Sequence, residues 1–144
     1  KRFFKLLGEE RTLDWIEHEK IRAPGAFDEP RIHFVVNCAS IGCPALRPGA
    51  MTATGLSKQL EDSTRRFLSD RSRNRFADGT LQVSKIFDWY GGDFEKGHQG
   101  IASLAGFFGK YADLLSDDPA ARAQIRAGKA TIGFLDYDWT LNRR

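Results

Sequence analysis

The chain has 144 residues, 41% hydrophobic and 28% charged, with a formal net charge of +3. That length fits one domain with a core of its own, and that balance argues against intrinsic disorder. No run of roughly 18 apolar residues exists to span a membrane, and no secretory signal pattern opens the chain.

The chain begins at Lys1, and "RFFKLLGEERTL" reads as the middle of a longer protein whose targeting segment, if any, went with the missing part. "RFFKLLG" is a β-like apolar run. "TLDWIEHEKIR" is a helix with Thr12 at its N-cap, acids in its first turns, and Lys20 and Arg22 near its end. "RIHFVVNCA" is the best strand, apolar on both faces as a central strand is. "CPALRPGAMT" is irregular.

From Thr54 to about Leu68 an amphipathic helix turns Leu56, Leu60, Thr64, Phe67 and Leu68 inward, with Glu61–Arg65 and Asp62–Arg66 as outer pairs. "DRSRNRFADGT" is a loop turning at Asp78-Gly79. "LQVSKIF" is a strand that runs into a turn or helix through "DWYGGDF", and "EKGHQG" is a loop. Ile101, Leu104, Ala105, Phe108, Tyr111, Ala112 and Leu115 mark a 3.6-period helix. "DDPAARAQIRAG" is a shorter one between Pro119 and Gly128. "ATIGFLDY" is a last strand and "DWTLNRR" a tail. This order predicts a single α+β domain over residues 1–144 with one mainly antiparallel sheet.

Arg65, Arg66, Arg71, Arg73 and Arg75 cluster, but Glu61, Asp62, Asp70 and Asp78 interleave. The cluster reads as a solvated helix end and loop, with a phosphate-binding patch as the minor alternative. No nucleic-acid partner is expected.

Both cysteines fall in "HFVVNCASIGCPALRP". Two cysteines are too few for a disulfide scaffold, although one short-loop disulfide is open. Strand alternation puts Ile32, Phe34, Val36 and Cys38 on one face and His33, Val35, Asn37 and Ala39 on the other. Cys38 then reads most simply as a small core residue. Cys43 follows Gly42 and precedes Pro44, which places it at a helix N-cap where free N–H groups lower a thiol's pKa. Cys43 is therefore the candidate nucleophile.

Such a thiol needs a base. His18 lies one turn after Asp14, and Glu17 edges toward the buried face. Together Glu17 and His18 are candidate base and orienting carboxylate, or else a buried polar anchor tying helix to strand. His33 opens the central strand, away from its far end, and His98 is a solvated loop histidine.

The order of motifs "LDWIEHEKIR", "DEPRIHFVVNCASIGCPALRP", "SKIFDWYGGDF" and "YDWTLN" resembles the DUF547 family, a domain of unknown function. The family pattern matches at Leu13, Asp14, Ile16, Glu17 and His18, at Arg31 to Phe34, and at Cys38 to Ser40. It continues at Cys43, Pro44, Leu46 and Arg47, at Ser84 to Phe87, and through Trp89, Tyr90, Asp93 and Phe94 to Tyr137–Trp139, Leu141 and Asn142. Ile41-Gly42 departs from the family's commoner x-Ser, removing a hydroxyl near the thiol. The family's upstream "W-x-N-x-Y-N" segment is absent, so the chain is expected to be a fragment that associates with that segment.

The resemblance implies a papain-like or transglutaminase-like arrangement and, for bacterial members, export to the periplasm. Two functions follow. One is a thiol enzyme on peptide or amide bonds, with Cys43 as nucleophile, His18 as base, and Glu17 or Asp14 orienting it. The other is a binding module with structural cysteines, in which "DWY" and "YDW" supply a ligand groove. Candidate ligand-binding residues are His33, Asn37, Lys85 and Asp138. Lys85 is otherwise a salt-bridge partner and Asp138 a turn carboxylate. A small peptide or amide is the expected ligand, and no cofactor is expected. Cys38, Cys43, His33 and His18 could supply a zinc site only if the strand bulged, because regular alternation points His33 and Cys38 apart.

Overall fold

The computed structural model describes residues 4–143. Arg2 and Phe3 of the opening apolar run lie outside them. Its remainder forms β1 (Phe4–Leu6), which pairs antiparallel with β2 (Glu9–Arg11). The turn between them sets positive φ at Leu7 and Gly8, the conformation a tight hairpin requires.

Thr12 caps the next helix, its hydroxyl accepting the Trp15 N–H at 2.9 Å. The helix begins as α1 (Leu13–Trp15) and widens into a π-helical turn over Ile16–Ile21. π-turns of this kind recur at functional sites, and this one carries Glu17 and His18 and leads into Arg22.

The expected central strand at 31–39 does not form. Pro30–Phe34 is a 3-10 helix, followed by irregular chain. Pro30 occupies the first turn, where its fixed φ suits a helix, and the Glu29 carboxylate accepts the Arg31 N–H at 3.0 Å. The Arg31 guanidinium closes the same turn on Glu29 at 2.9 and 2.7 Å. The backbone then bonds to itself, Val35 and Val36 both donating to the Ile32 carbonyl at 3.0 Å. A continuous apolar run does not distinguish a buried strand from a buried helical turn, and here the local caps decide it.

Helix α2 (Leu56–Leu68) buries Leu60, Ser63, Thr64, Phe67 and Leu68, while Leu56 stays exposed. Of its expected outer pairs Glu61–Arg65 forms at 3.5 Å, but Asp62 pairs with Lys58 at 2.7 Å instead of Arg66. The segment read as a loop contains β3 (Arg75–Ala77), which turns at Asp78-Gly79 and pairs antiparallel with β4 (Thr80–Val83). β5 (Thr131–Phe134) adds to β4 in parallel. The fold is α+β as expected, but with two small sheets rather than one.

After β4 come α3 (Ile86–Trp89) and α4 (Gly91–Phe94). His98–Gly100 is a 3-10 turn. The helix expected over 101–115 is two pieces, α5 (Leu104–Lys110) and α6 (Ala112–Leu115). They break at Tyr111, whose hydroxyl donates to Glu61 at 2.8 Å. α7 (Pro119–Arg126) is capped by Asp118.

The core is a phenylalanine cluster. Phe34, Phe67, Phe87, Phe94, Phe107 and Phe108 are all buried, with Leu68, Leu81, Val83, Leu115 and Ile125 around them. Phe87 meets Phe108 and Phe94 meets Phe107 edge-on, each at 4.8 Å, an arrangement favoured by the ring quadrupoles. Phe34 ties the 3-10 turn into this cluster and thereby fixes where its neighbour His33 points.

Candidate functional site

The two cysteines bracket a loop held from both sides. Cys38 and Cys43 are joined as a disulfide, one of the alternatives left open by the sequence. Cys38, expected in the core, is exposed, and Cys43 is 5% exposed. No helix follows Pro44, so no N-cap surrounds Cys43. Its sulfur instead takes the Cys38 N–H at 2.9 Å, and the Ser40 and Tyr137 hydroxyls lie at 3.5 and 3.3 Å.

Asn37 braces the loop. Its amide donates to the Pro44 carbonyl at 2.7 Å and accepts the Ala39 N–H at 2.8 Å. The C-terminal tail pairs with the same loop: Ile41 N–H to Thr140 O, Gly42 N–H to Asp138 O, and Asn142 N–H to Ala39 O, at 2.8–2.9 Å. Tyr137 lies against the loop closely enough that a Cβ on Gly42 would meet its ring at 2.7 Å. The family's commoner serine at this position would require that ring to move.

Beside the disulfide is a cavity of about 160 Å³. Cys38, Cys43, Glu17 and His33 all line it, with Trp89, Tyr90, Tyr137 and Trp139 as aromatic walls. Trp89, Tyr137 and Trp139 form one ring cluster, with centroids 4.6–5.5 Å apart.

His33 is buried and stacks on Tyr90 at 4.2 Å. Its Nε2 lies 2.8 Å from Asp93 Oδ2. An ionised carboxylate only accepts, so Nε2 carries the proton and Nδ1 keeps its lone pair. Burial pushes the His33 pKa down to about 4, against the opposing pull of Asp93. The ring is therefore neutral at pH 7. Asp93 also takes Arg22 Nε at 2.7 Å and Lys96 at 2.9 Å. Burial alone would raise its pKa, but these donors and His33 hold it well below the usual carboxylate range.

His18 is not part of the cavity lining. Arg22 donates to its Nδ1 at 2.5 Å, and its Nε2 faces Asp14 at 3.4 Å. A chain of contacts runs His18–Arg22–Asp93–His33, and Arg22 also covers the Tyr90 ring at 4.5 Å. The Glu-His motif thus reaches the cavity directly through Glu17 and indirectly through Arg22.

The remaining sequence candidates lie elsewhere. Lys85 pairs with Asp88 at 2.8 Å. Asp138 is exposed and accepts the Thr140 N–H at 2.8 Å, which lowers its pKa. His98, expected to be solvated, is partly buried with its Nε2 3.3 Å from Glu29. Among the described residues no group of three or more His, Cys, Asp and Glu is placed to hold a metal ion.

Asp93 is the residue that sequence reasoning passed over. It stood in the motif "WYGGDF", but nothing in the spacing connects it to His33, 60 residues away. The position of His33 was equally hidden, because strand alternation turned it away from Cys38.

The structure is an α+β fold in which an aromatic cavity lies beside the cysteine loop and the His33–Asp93 pair. Residues 1–68 match the model of the family described as "Protein of unknown function, DUF547". The motifs around Ser84–Phe94 and Tyr137–Asn142 lie beyond the matched segment. No curated protein and no solved structure matches the chain. Among the described residues no helix is long and apolar enough to cross a membrane.

Proposed function

We propose that this domain is a thiol-dependent acyl-transfer enzyme for peptide or amide bonds, active when Cys38 and Cys43 are reduced. One observation carries the reading: Cys43 and His33 line the same cavity, and His33 is fixed by Asp93. We give the base to His33 rather than His18 because the His18 ring is engaged by Arg22 and Asp14 outside that cavity.

An external dithiol takes up the disulfide and is itself oxidised. His33 Nδ1, with Asp93 on its other nitrogen and its proton affinity raised above the resting value by the thiolate charge forming beside it, then accepts the Cys43 proton, and the thiolate adds to the carbonyl carbon. The Cys38 N–H, already 2.9 Å from the sulfur, favours the thiolate. Collapse of the adduct breaks the C–N bond, the amine leaves with the proton held on His33, and a Cys43 thioester remains. Water or a second amine, deprotonated by His33, releases the acyl group and restores the thiol. Trp89, Tyr137 and Trp139 would bind an apolar part of the substrate.

The test is labelling of the reduced protein with a panel of peptidyl electrophiles. The reading expects covalent modification at Cys43, lost in Cys43→Ser and strongly slowed in His33→Ala. No label on Cys43 from any member would overturn it.

The disulfide favours a second reading, a binding module in which the Cys38–Cys43 link is structural. In that case reduction and Cys43→Ser leave ligand binding at the aromatic wall unchanged.

A further inference from the structure

A larger cavity, about 410 Å³, adjoins the first along the chain: Pro44 lines one and Ala45 the other. Arg47, Arg66 and Arg73 line it, together with Ser63, Asp62 and Asp70. Only two of the five clustered arginines noted in the sequence take part. Arg65 pairs with Glu61, Arg71 reaches Leu114 O and Asp117, and Arg75 bonds Gln82. Arg47 comes from the cysteine–proline motif instead.

The charges in this cavity do not cancel. Asp70 is engaged by Ser72 and Arg73, which keep its pKa low against the effect of burial. Asp62 pairs with Lys58 at 2.7 Å. Arg47 meets only neutral acceptors, Gln59 O and Ser63 Oγ, each at 3.2 Å. The Arg66 guanidinium has no hydrogen-bond or ion-pair partner among the described residues. Two cations are left without a carboxylate. The Nε atoms of Arg47 and Arg73 are moreover buried with no hydrogen-bond partner. A buried unsatisfied donor is costly and calls for a partner, and the guanidinium fork matches an oxyanion better than any other group. Ser63 is buried and accepts from Arg47, which leaves its O–H free to donate.

We propose that this cavity binds a dianionic oxyanion, held by Arg47, Arg66 and Arg73 with Ser63 as a neutral donor. The group is a phosphate or a dicarboxylate, since both present the same acceptors to the forks. The site is separate from the thiol chemistry and does not depend on it.

The experiment is calorimetric titration and thermal melting with inorganic phosphate, against sodium chloride at equal ionic strength. Saturable heat and a phosphate-dependent rise in Tm are expected, because a ligand that binds only the folded state stabilises it. Arg66→Glu lies on an exposed position and leaves the fold intact by circular dichroism; it should weaken binding by at least about tenfold, the loss of one charge-assisted contact. Arg47→Lys keeps the charge but loses the fork and should also weaken it. Lys129→Glu, outside the cavity, should leave it unchanged. A repeat with succinate distinguishes the two sources: displacement of phosphate assigns a site open to carboxylates, and none assigns phosphate. A response no greater than that to chloride, or unaltered affinity in Arg66→Glu, would overturn the proposal.

Discussion

The region built on α2, α5 and α7 and the region built on the 3-10 turn, the cysteine loop and the C-terminal tail are held by different forces. The first is centred on buried phenylalanines, with polar contacts such as Arg31–Glu61 and Tyr111–Glu61 set around that cluster. The second has exposed rings, Trp139 at 68% exposure among them, and is fixed by backbone pairing between loop and tail and by the polar chain from His18 to His33. Burial is tolerant of sequence detail, whereas a hydrogen-bonded loop specifies positions. The contrast explains why the site sits in the irregular region: aromatic walls stay open to a ligand while Phe34 anchors His33 from behind.

The contrast can be broken by substitution. Phe87→Ala removes a fully buried ring from the centre of the cluster and should cost about 3–5 kcal/mol in urea unfolding. Trp139→Ala should cost less than about 1 kcal/mol while altering ligand binding at the aromatic wall. Equal losses for the two would refute the division.

The polar region should also carry a pH signature. Burial depresses the His33 pKa to about 4, so the unfolded chain takes up a proton before the folded one. That stability is fully present above the ordinary histidine value of about 6.5 and declines as pH falls toward the folded value, with a slope up to about 1.4 kcal/mol per pH unit. Asp93, depressed as well, adds stability that is lost only at lower pH, as acid protonates it. His33→Gln should flatten the stability profile between these histidine values. An unchanged slope in the variant would place its origin elsewhere.

Reduction is the mildest of the larger perturbations. The disulfide closes a sequence separation of five, and on the chain-entropy account such a loop is worth about 2 kcal/mol. Dithiothreitol should lower Tm modestly and leave the fold intact, because the tail still pairs with the loop. Global unfolding on reduction would show that the loop depends on the disulfide alone.

The same division set what the sequence disclosed. Helices α2 and α7 were legible because apolar period and end residues act locally: Leu60 and Phe67 mark the inner stripe of α2, and Pro119 and Gly128 bound α7. Cys43, Glu17 and the "DWY" and "YDW" aromatics stood out by residue type, and Cys43, Glu17, Trp89, Tyr90, Tyr137 and Trp139 line one cavity. Their geometry was not legible, because it depends on partners far along the chain. The apolar run at 31–36 satisfied a strand pattern, yet Pro30 and the Glu29–Arg31 pair wound it into a 3-10 turn. That local choice brought His33 into the cavity beside the cysteines. Cys38 left the core for the same reason, since alternation has no meaning once the strand is gone.

The central claim is that His33 activates Cys43. The most direct measurement is the pH dependence of Cys43 alkylation by iodoacetamide in Cys38→Ala, compared with the same protein carrying His33→Ala or His18→Ala. The account predicts a midpoint well below the free-thiol value of about 8.5, raised by His33→Ala and far less by His18→Ala. A midpoint at or above that value, or one indifferent to His33, would contradict it.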